Sequence, residues 1–144
     1  TQTDLPNEAR STHRALGVNE LRELAQVPLV EIGSHTVSHP VLSCLSTSEQ
    51  REEITASKKF IERVVHKPIR GFSYPFGGPR DYTSETRDIL VESGYRYACA
   101  NSPGAVGKNT DRFQMPRFIV RNWDGKVFQR HLMDWLIDKG NPAR

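Results

Sequence analysis

The sequence has little of what would place it in several common classes of protein. Only two of its 144 residues, Cys44 and Cys99, are cysteine, which is too few for a disulfide framework. No apolar run approaches the length of a membrane span. The formal net charge is only +3, and the basic residues are scattered among acidic ones, so there is no nucleic-acid-binding footprint. With 36% apolar residues in a chain of 144, we expect one domain with its own core.

The sequence also has no signal peptide, and it begins with Thr1 instead of methionine. We therefore expect a processed or excised chain, whose compartment these residues leave open. No internal repeat, low-complexity segment or linker divides the sequence. We expect a polar arm over residues 1–15, one domain over 16–138 and a tail over 139–144.

Helical and strand-like apolar patterns alternate along the chain. Helices are expected from Val18 to Pro28, over 46–65, over 84–93, and from Asp124 or Gly125 onward; strands are expected over 29–32, 69–74, 95–100 and 117–120. The last helix is expected to bury Val127, Phe128, Leu132, Trp135 and Leu136. Because strands and helices alternate, the sequence predicts an α/β fold with a parallel sheet and helices outside it.

Several residues predict where the helices begin and end. Ser46 and Glu49 form a capping box, in which both side chains satisfy free backbone NH groups at a helix start. His66 is expected at the carboxyl end of that helix, where the helix dipole favours a positive charge. Gly94 is expected to end the helix over 84–93 in a left-handed conformation.

Two histidines stand four residues apart in the segment GSHTVSHP over residues 33–40. Glycine, proline and β-branched residues disfavour a long helix there, so we place His35 and His39 on a loop or single turn after a strand. The carboxyl ends of strands are where α/β folds hold their functional groups. Two imidazoles at this spacing can bind one metal ion; the alternative is that they are polar loop residues. A zinc site that adds Cys44 is a further alternative.

Four segments of the sequence together resemble a known family. They are EIGSHTVSH over residues 31–39, FSYPFGG over 72–78, MPRF over 115–118 and NWDG over 122–125. In this order they are similar to motifs of the polysaccharide deacetylases, the NodB-like esterases of carbohydrate esterase family 4. A pair of histidines alone is weakly specific, whereas the ordered set is strongly specific.

The resemblance implies a fold, an activity and a cofactor. The fold would be a partial distorted (β/α) barrel that lacks its first strand or strands. The activity would be metal-dependent hydrolysis of N-acetyl groups on a polysaccharide such as a polymer of N-acetylglucosamine. His35 and His39 would be metal ligands; zinc is the metal that the resemblance favours, with cobalt and nickel as alternatives.

The resemblance also implies roles for the turn over 72–78. The backbone NH of Phe76 would donate to the oxyanion, and Tyr74, Pro75 and Gly77 would contribute to substrate binding. The Tyr-Pro-Phe-Gly form is similar to the branch that acts on exopolysaccharide. Arg117 would orient a carboxylate near the metal, or it would form a salt bridge beneath the barrel mouth.

The sequence departs from the family pattern at several functional positions. The family takes its third metal ligand and its general base from an Asp-Asp pair upstream of the histidines; this chain has no such pair, and Asp4 is its only upstream aspartate. Ser73 stands where many members carry an arginine. The family's Leu-x-His motif, which supplies a general acid, is also missing. Asp81 and Asp124 are the carboxylates that we consider as substitutes, although neither matches a family position.

These departures leave the activity of the chain by itself open. One alternative is an inactive module that binds carbohydrate or metal, and another is an amidohydrolase that acts on a small amide. The expected partner is an N-acetylated polysaccharide, and no nucleic acid is expected. The resemblance favours an extracytoplasmic location. A barrel that lacks a strand exposes a sheet edge, so a homo-oligomer formed through that edge is also predicted.

Overall fold

The computed structural model describes residues 15–137 and divides the chain into two compact units, Thr1–Glu31 and Ile32–Arg144. In the first unit, helix α1 spans Val18–Leu24, and the Glu20 carboxylate accepts a hydrogen bond from the Gly17 NH (2.7 Å) at its start. The strand predicted over 29–32 is wrong. The Val30 NH instead donates to the Val27 carbonyl (3.0 Å), which closes a turn with the Leu29 side chain 97% exposed.

The second unit alternates helices and short parallel strands, as predicted. Its elements are helix α2 (Thr47–Val65), strand β1 (Gly71–Ser73), helix α3 (Ser84–Glu92), strand β2 (Tyr97–Cys99) and helix α4 (Gly125–Ile137), with a 3-10 turn at Leu42–Cys44. β1 pairs with β2 in parallel, with Phe72 opposite Ala98. Single parallel bridges join Ser34 to Phe72 and Cys99 to Met115. Four parallel segments therefore lie side by side, in the order Ser34, β1, β2, Met115.

The predicted helix boundaries in this unit are confirmed where they depend on local chemistry. The Ser46–Glu49 capping box begins α2, with the Ser46 NH donating to the Glu49 carboxylate (2.8 Å). α2 ends at His66, whose φ of 55° is left-handed. Gly94, with a φ of 79°, follows α3. Within residues 15–137, no helix is both long enough and apolar enough to span a membrane.

An aromatic cluster under α2 and α3 forms the centre of the core. The Phe72 ring packs edge-to-face against Tyr74 and Tyr95, with ring centres 5.5 and 5.4 Å apart. Ile54 of α2 and Leu90 of α3 are fully buried, and the Tyr95 hydroxyl donates to the Ile54 carbonyl (3.2 Å). Burying such side chains is the main favourable contribution to folding, so the core holds the sheet against the two helices.

Two predictions for the last part of the chain are wrong. The strand predicted over 117–120 is absent, since the backbone of Met115 takes the pairing position beside β2 and leaves Ile119 and Val120 exposed. Helix α4 is present, but none of its residues is buried within the described part of the chain. It contacts neighbouring rings instead: Trp135 stacks on Phe118, with ring centres 4.3 Å apart. An apolar stripe is buried only where another surface covers it.

Glu62 joins the end of α2 to the start of the sheet. Its carboxylate accepts hydrogen bonds from the Lys58 ammonium (2.7 Å) and from the Ile69 NH (2.9 Å). Burial raises the pKa of Glu62, but these bonds and the Lys58 charge outweigh it, so the pKa is lowered. A lowered folded-state pKa stabilises the protein above the unfolded value and ceases to do so below it.

We therefore expect the free energy of unfolding to fall as the pH decreases from about 5 through the folded pKa of Glu62. Denaturant titrations at several pH values would measure this. The Glu62→Gln variant should show a flatter pH dependence than the wild type, whereas Glu52→Gln, at an exposed position of the same helix, should not. Equal slopes in Glu62→Gln and the wild type would contradict the prediction.

Candidate functional site

The two histidines lie together on the loop that follows the Ser34 bridge. Their ring centres are 4.7 Å apart, and both residues are exposed. A metal ion about 2.1 Å from one nitrogen of each ring, at a tetrahedral angle, would place the ring centres about 5 Å apart. The observed spacing therefore fits two ligands of one ion. That His35 and His39 are metal ligands stays a prediction.

The hydrogen bond of His35 determines which of its nitrogens is free. Its Nδ1 lies 2.6 Å from the carbonyl oxygen of Ser73, at the end of β1. A carbonyl oxygen can only accept, so Nδ1 is the donor; in the neutral ring the lone pair is then on Nε2. Metal-binding histidines are commonly held this way, with one nitrogen donating to a carbonyl and the other facing the ion.

His39 is held by ring packing and by a strained turn. Its ring packs between His35 and Phe76, with the Phe76 ring centre 4.9 Å away. Thr36 and His39 both have left-handed backbones, with φ of 67° and 60°. The Thr36 hydroxyl accepts a hydrogen bond from the His39 NH (3.1 Å) and stabilises that turn. Left-handed conformations at residues other than glycine occur preferentially at functional sites.

Glu53, for which the sequence pattern predicted no role, holds the loop between the histidines. Its carboxylate accepts hydrogen bonds from the Val37 NH (2.8 Å), the Ser38 NH (2.9 Å) and the Ser38 hydroxyl (2.6 Å). Burial raises the pKa of Glu53, but the bonds from Ser38 and Val37 outweigh it and lower the pKa. The carboxylate is thus a charged anchor that fixes the histidine loop to α2.

A signal for this anchor is present in the sequence. Gln50, Glu53 and Ser57 are polar residues on the face of α2 that also carries the buried Ile54. Gln50 and Ser57 are buried, and the Ser57 hydroxyl is 2.7 Å from the hydroxyl of Ser34. Polar residues along the apolar stripe of a helix indicate hydrogen-bonded partners on the facing segment.

Among the described residues, no third candidate metal ligand lies with the two histidines. Within residues 15–137 no group of three histidine, cysteine, aspartate or glutamate side chains could hold a metal ion. Cys44 is free and exposed in its 3-10 turn, so the alternative His/His/Cys site is not formed. Asp4 lies outside the described residues.

The two aspartates that we considered as substitutes have local structural partners. Asp81 accepts a hydrogen bond from the Gly78 NH (2.7 Å). Asp124 caps α4, where it accepts from the NH groups of Lys126 and Val127 (2.9 Å each). Both carboxylates therefore stabilise turns or helix ends, and neither belongs to a metal-binding group.

The turn after β1 brings Phe76 beside the histidines. Phe76 and Gly77 have left-handed φ values of 58° and 74°. A Cβ on Gly77 would lie 2.9 Å from the Asn101 nitrogen, so glycine is required there. In the described part of the chain, the Phe76 NH has no hydrogen-bond acceptor. It is available for the predicted oxyanion role, which stays a prediction.

The other residues with predicted roles lie at different places. Tyr74 is 1% exposed, and its hydroxyl donates to the Phe113 carbonyl (2.8 Å), so its side chain belongs to the core. Pro75 is buried as well, whereas Gly77 lines a cavity. The Nε of Arg117 donates to the Ala100 carbonyl (3.0 Å), and within residues 15–137 Arg117 has no carboxylate partner. Arg117 therefore holds the segment that follows β2.

The fold and the site define an α/β protein whose candidate functional groups lie at the carboxyl ends of parallel segments. Comparison with known proteins agrees. The sequence model of the family "Polysaccharide deacetylase" matches residues 7–98. YxkH of Bacillus subtilis (strain 168), provisionally described as a polysaccharide deacetylase, is 30% identical over 101 residues, which cover 70% of this chain and 35% of YxkH. The chain belongs to the polysaccharide deacetylase family.

Solved structures show the same partial fold. The Streptococcus pyogenes deacetylase PplD, in complex with acetate, is 21% identical with a TM-score of 0.73; the match covers 83% of this chain and 52% of that protein. A polysaccharide deacetylase from Bacillus cereus is 22% identical with a TM-score of 0.68, over 83% of this chain and 37% of that protein. The chain therefore spans between about a third and a half of the relatives that it matches.

Proposed function

We propose that the whole protein removes N-acetyl groups from a polysaccharide such as a polymer of N-acetylglucosamine. His35 and His39 would hold a divalent metal ion, with zinc favoured and cobalt or nickel as alternatives. When bound, such an ion polarises the amide carbonyl and lowers the pKa of its water. The observation that carries the proposal is the bond from His35 Nδ1 to the Ser73 carbonyl, which leaves Nε2 for a ligand on a ring whose centre is 4.7 Å from that of His39.

The chain's own residues would contribute binding and orientation. The Ser73 carbonyl and the Glu53 carboxylate hold the two histidines in place before any ligand arrives. The Phe76 NH would donate to the oxyanion, and one such donor in a dry site is worth about 3 kcal/mol. The general base and the third ligand would come from residues that this sequence does not contain, since it has no Asp-Asp pair.

One observation favours a second candidate function for these 144 residues alone. Catalytic zinc usually has three protein ligands and a water. Within residues 15–137, no three candidate ligands lie close enough together to hold a metal ion. The isolated chain would then bind metal or carbohydrate without turnover. This candidate differs from the first in one measurable property, the release of acetate.

Zinc binding measured by calorimetry, with an acetate-release assay on N-acetylglucosamine oligomers, tests both candidates. We expect His35→Ala to lower zinc affinity at least tenfold, since it removes a ligand. His66→Asn is the control, because asparagine tolerates the left-handed backbone of that exposed histidine. Acetate release that depends on His35 supports the deacetylase; His35-dependent binding without release supports the second candidate. Equal zinc affinity in His35→Ala and the wild type would refute both metal assignments.

A further inference from the structure

A cavity lies beside the turn that carries Phe76. Its volume is about 260 Å³, and its lining includes Gly77, Tyr82, Ser84, Arg87, Ser102 and Gln114. Phe76 packs against His39, while the next residue, Gly77, lines the cavity. The cavity therefore adjoins the histidine pair through one turn of backbone, although neither histidine lines it.

About half of the lining is polar, and most of its polar side chains are not used within the described part of the protein. The Arg87 Nη1 donates to Asp111 (3.0 Å), which leaves its other guanidinium donors for a ligand. Among the described residues, the side chains of Ser84, Ser102 and Gln114 have no hydrogen-bond partner. A cavity with several unused donors and acceptors suits a ligand that carries hydroxyl groups on many sides.

Tyr82 adds a fixed aromatic group to this lining. Its ring stacks on the buried Tyr74, with ring centres 3.8 Å apart and planes 7° apart. Burial raises the pKa of Tyr82; the Arg87 charge lowers it, and Asp111 and Asp81 raise it further, so its hydroxyl stays protonated. Asp111 thus offsets the charge of Arg87. With no excess positive charge, the lining favours a neutral ligand over an anionic one.

We propose that this cavity, which we call the α3 subsite, binds one neutral sugar unit of a polysaccharide, next to the unit that carries the acetyl group. The inference rests on the proposed function, because a polymeric substrate has a neighbouring sugar unit that also requires a binding site. Arg87, Ser102 and Gln114 would donate to and accept from sugar hydroxyls, and Tyr82 would supply a ring face and a hydroxyl.

Titration of the metal-free, isotope-labelled chain with N,N′-diacetylchitobiose, followed by NMR, tests the proposal. We expect amide shifts at Gly77, Ser84 and Ser102 and an affinity about tenfold lower in Arg87→Gln, because a charged hydrogen bond to the sugar is lost. Arg51→Gln is the matched control, since it breaks a comparable exposed ion pair, Arg51 to Glu92 (2.6 Å), that does not line the cavity. Arg51→Gln should bind like the wild type.

Two further variants, Asp111→Asn and His35→Ala, separate the possible causes of weaker sugar binding. Asp111→Asn breaks the ion pair but keeps Arg87 in the cavity, so it should retain binding. If Asp111→Asn weakens binding as much as Arg87→Gln, the arginine acts only through the fold and the proposal is wrong. Shifts confined to the histidine loop, or equal affinities in Arg87→Gln and Arg51→Gln, would also overturn it. Binding that persists in His35→Ala supports the α3 subsite even where acetate release fails, so the two proposals fail separately.

Discussion

Replacement of Phe72 by alanine is expected to lower the free energy of unfolding by about 3–5 kcal/mol. Phe72 is 2% exposed and packs against the rings of Tyr74 and Tyr95. Its backbone is also the central position of the sheet, paired with Ser34 on one side and Ala98 on the other. The substitution removes a large buried ring and leaves a cavity between strands and helices.

Chemical denaturation followed by circular dichroism would measure this change. Phe60→Ala is the matched control, because Phe60 lies on α2 with 49% of its surface exposed. Removing an exposed ring removes little buried apolar surface, so we expect Phe60→Ala to lower the free energy of unfolding far less than Phe72→Ala. Similar losses in the two variants would show that the ring cluster is not the centre of the core.

Replacement of Glu53 by alanine is expected to lower zinc affinity by about 10- to 100-fold, the range found when supporting partners of metal ligands are removed. The carboxylate accepts three hydrogen bonds from Val37 and Ser38, which lie between the two histidines. Without it, those donors lose their partners and the loop has no anchor on α2. The histidines would then have to be ordered at the moment of binding, which opposes it.

Calorimetry with zinc would measure the affinity, and hydrogen exchange at the amides of Val37 and Ser38 gives a second readout that needs no metal. Glu52→Ala is the control, because Glu52 is the neighbouring residue of α2 and is exposed. We expect both amides to exchange faster in Glu53→Ala than in the wild type. In the Glu52→Ala control, their exchange rates should be unchanged. Unchanged exchange in Glu53→Ala would refute the anchor, whereas faster exchange with unchanged zinc affinity would refute only its link to the metal.

The elements that the sequence predicted correctly depend on neighbours in the chain. The Ser46–Glu49 capping box begins α2 because its partners are three residues apart, and Gly94 follows α3 in a left-handed conformation because glycine has no Cβ. The proximity of His35 and His39 was also predicted, since four residues of a tight loop cannot carry them far apart. The family followed from the order of short motifs, and its model matches residues 7–98.

The wrong predictions concern elements that need a distant partner. The apolar runs over 29–32 and 117–120 have the composition of strands, but the pairing positions belong to Ser34 and Met115. At Gly33, a Cβ would lie 3.2 Å from the Gly71 carbonyl oxygen. Because glycine has no Cβ, the two backbones can approach each other closely at this position. The stripe of α4 has the period of a buried helix, yet none of its residues is buried within residues 15–137.

By itself, then, the sequence determined the alternation of helices and strands, the helix caps, the histidine pair and the family, because each rests on short-range chemistry or motif order. Only the tertiary structure decided which residues pair in the sheet, which nitrogen of His35 is free and that Glu53 anchors the histidine loop. It also formed the cavity beside α3 from four separate segments. These features join residues far apart in the chain, whose contacts no local pattern specifies.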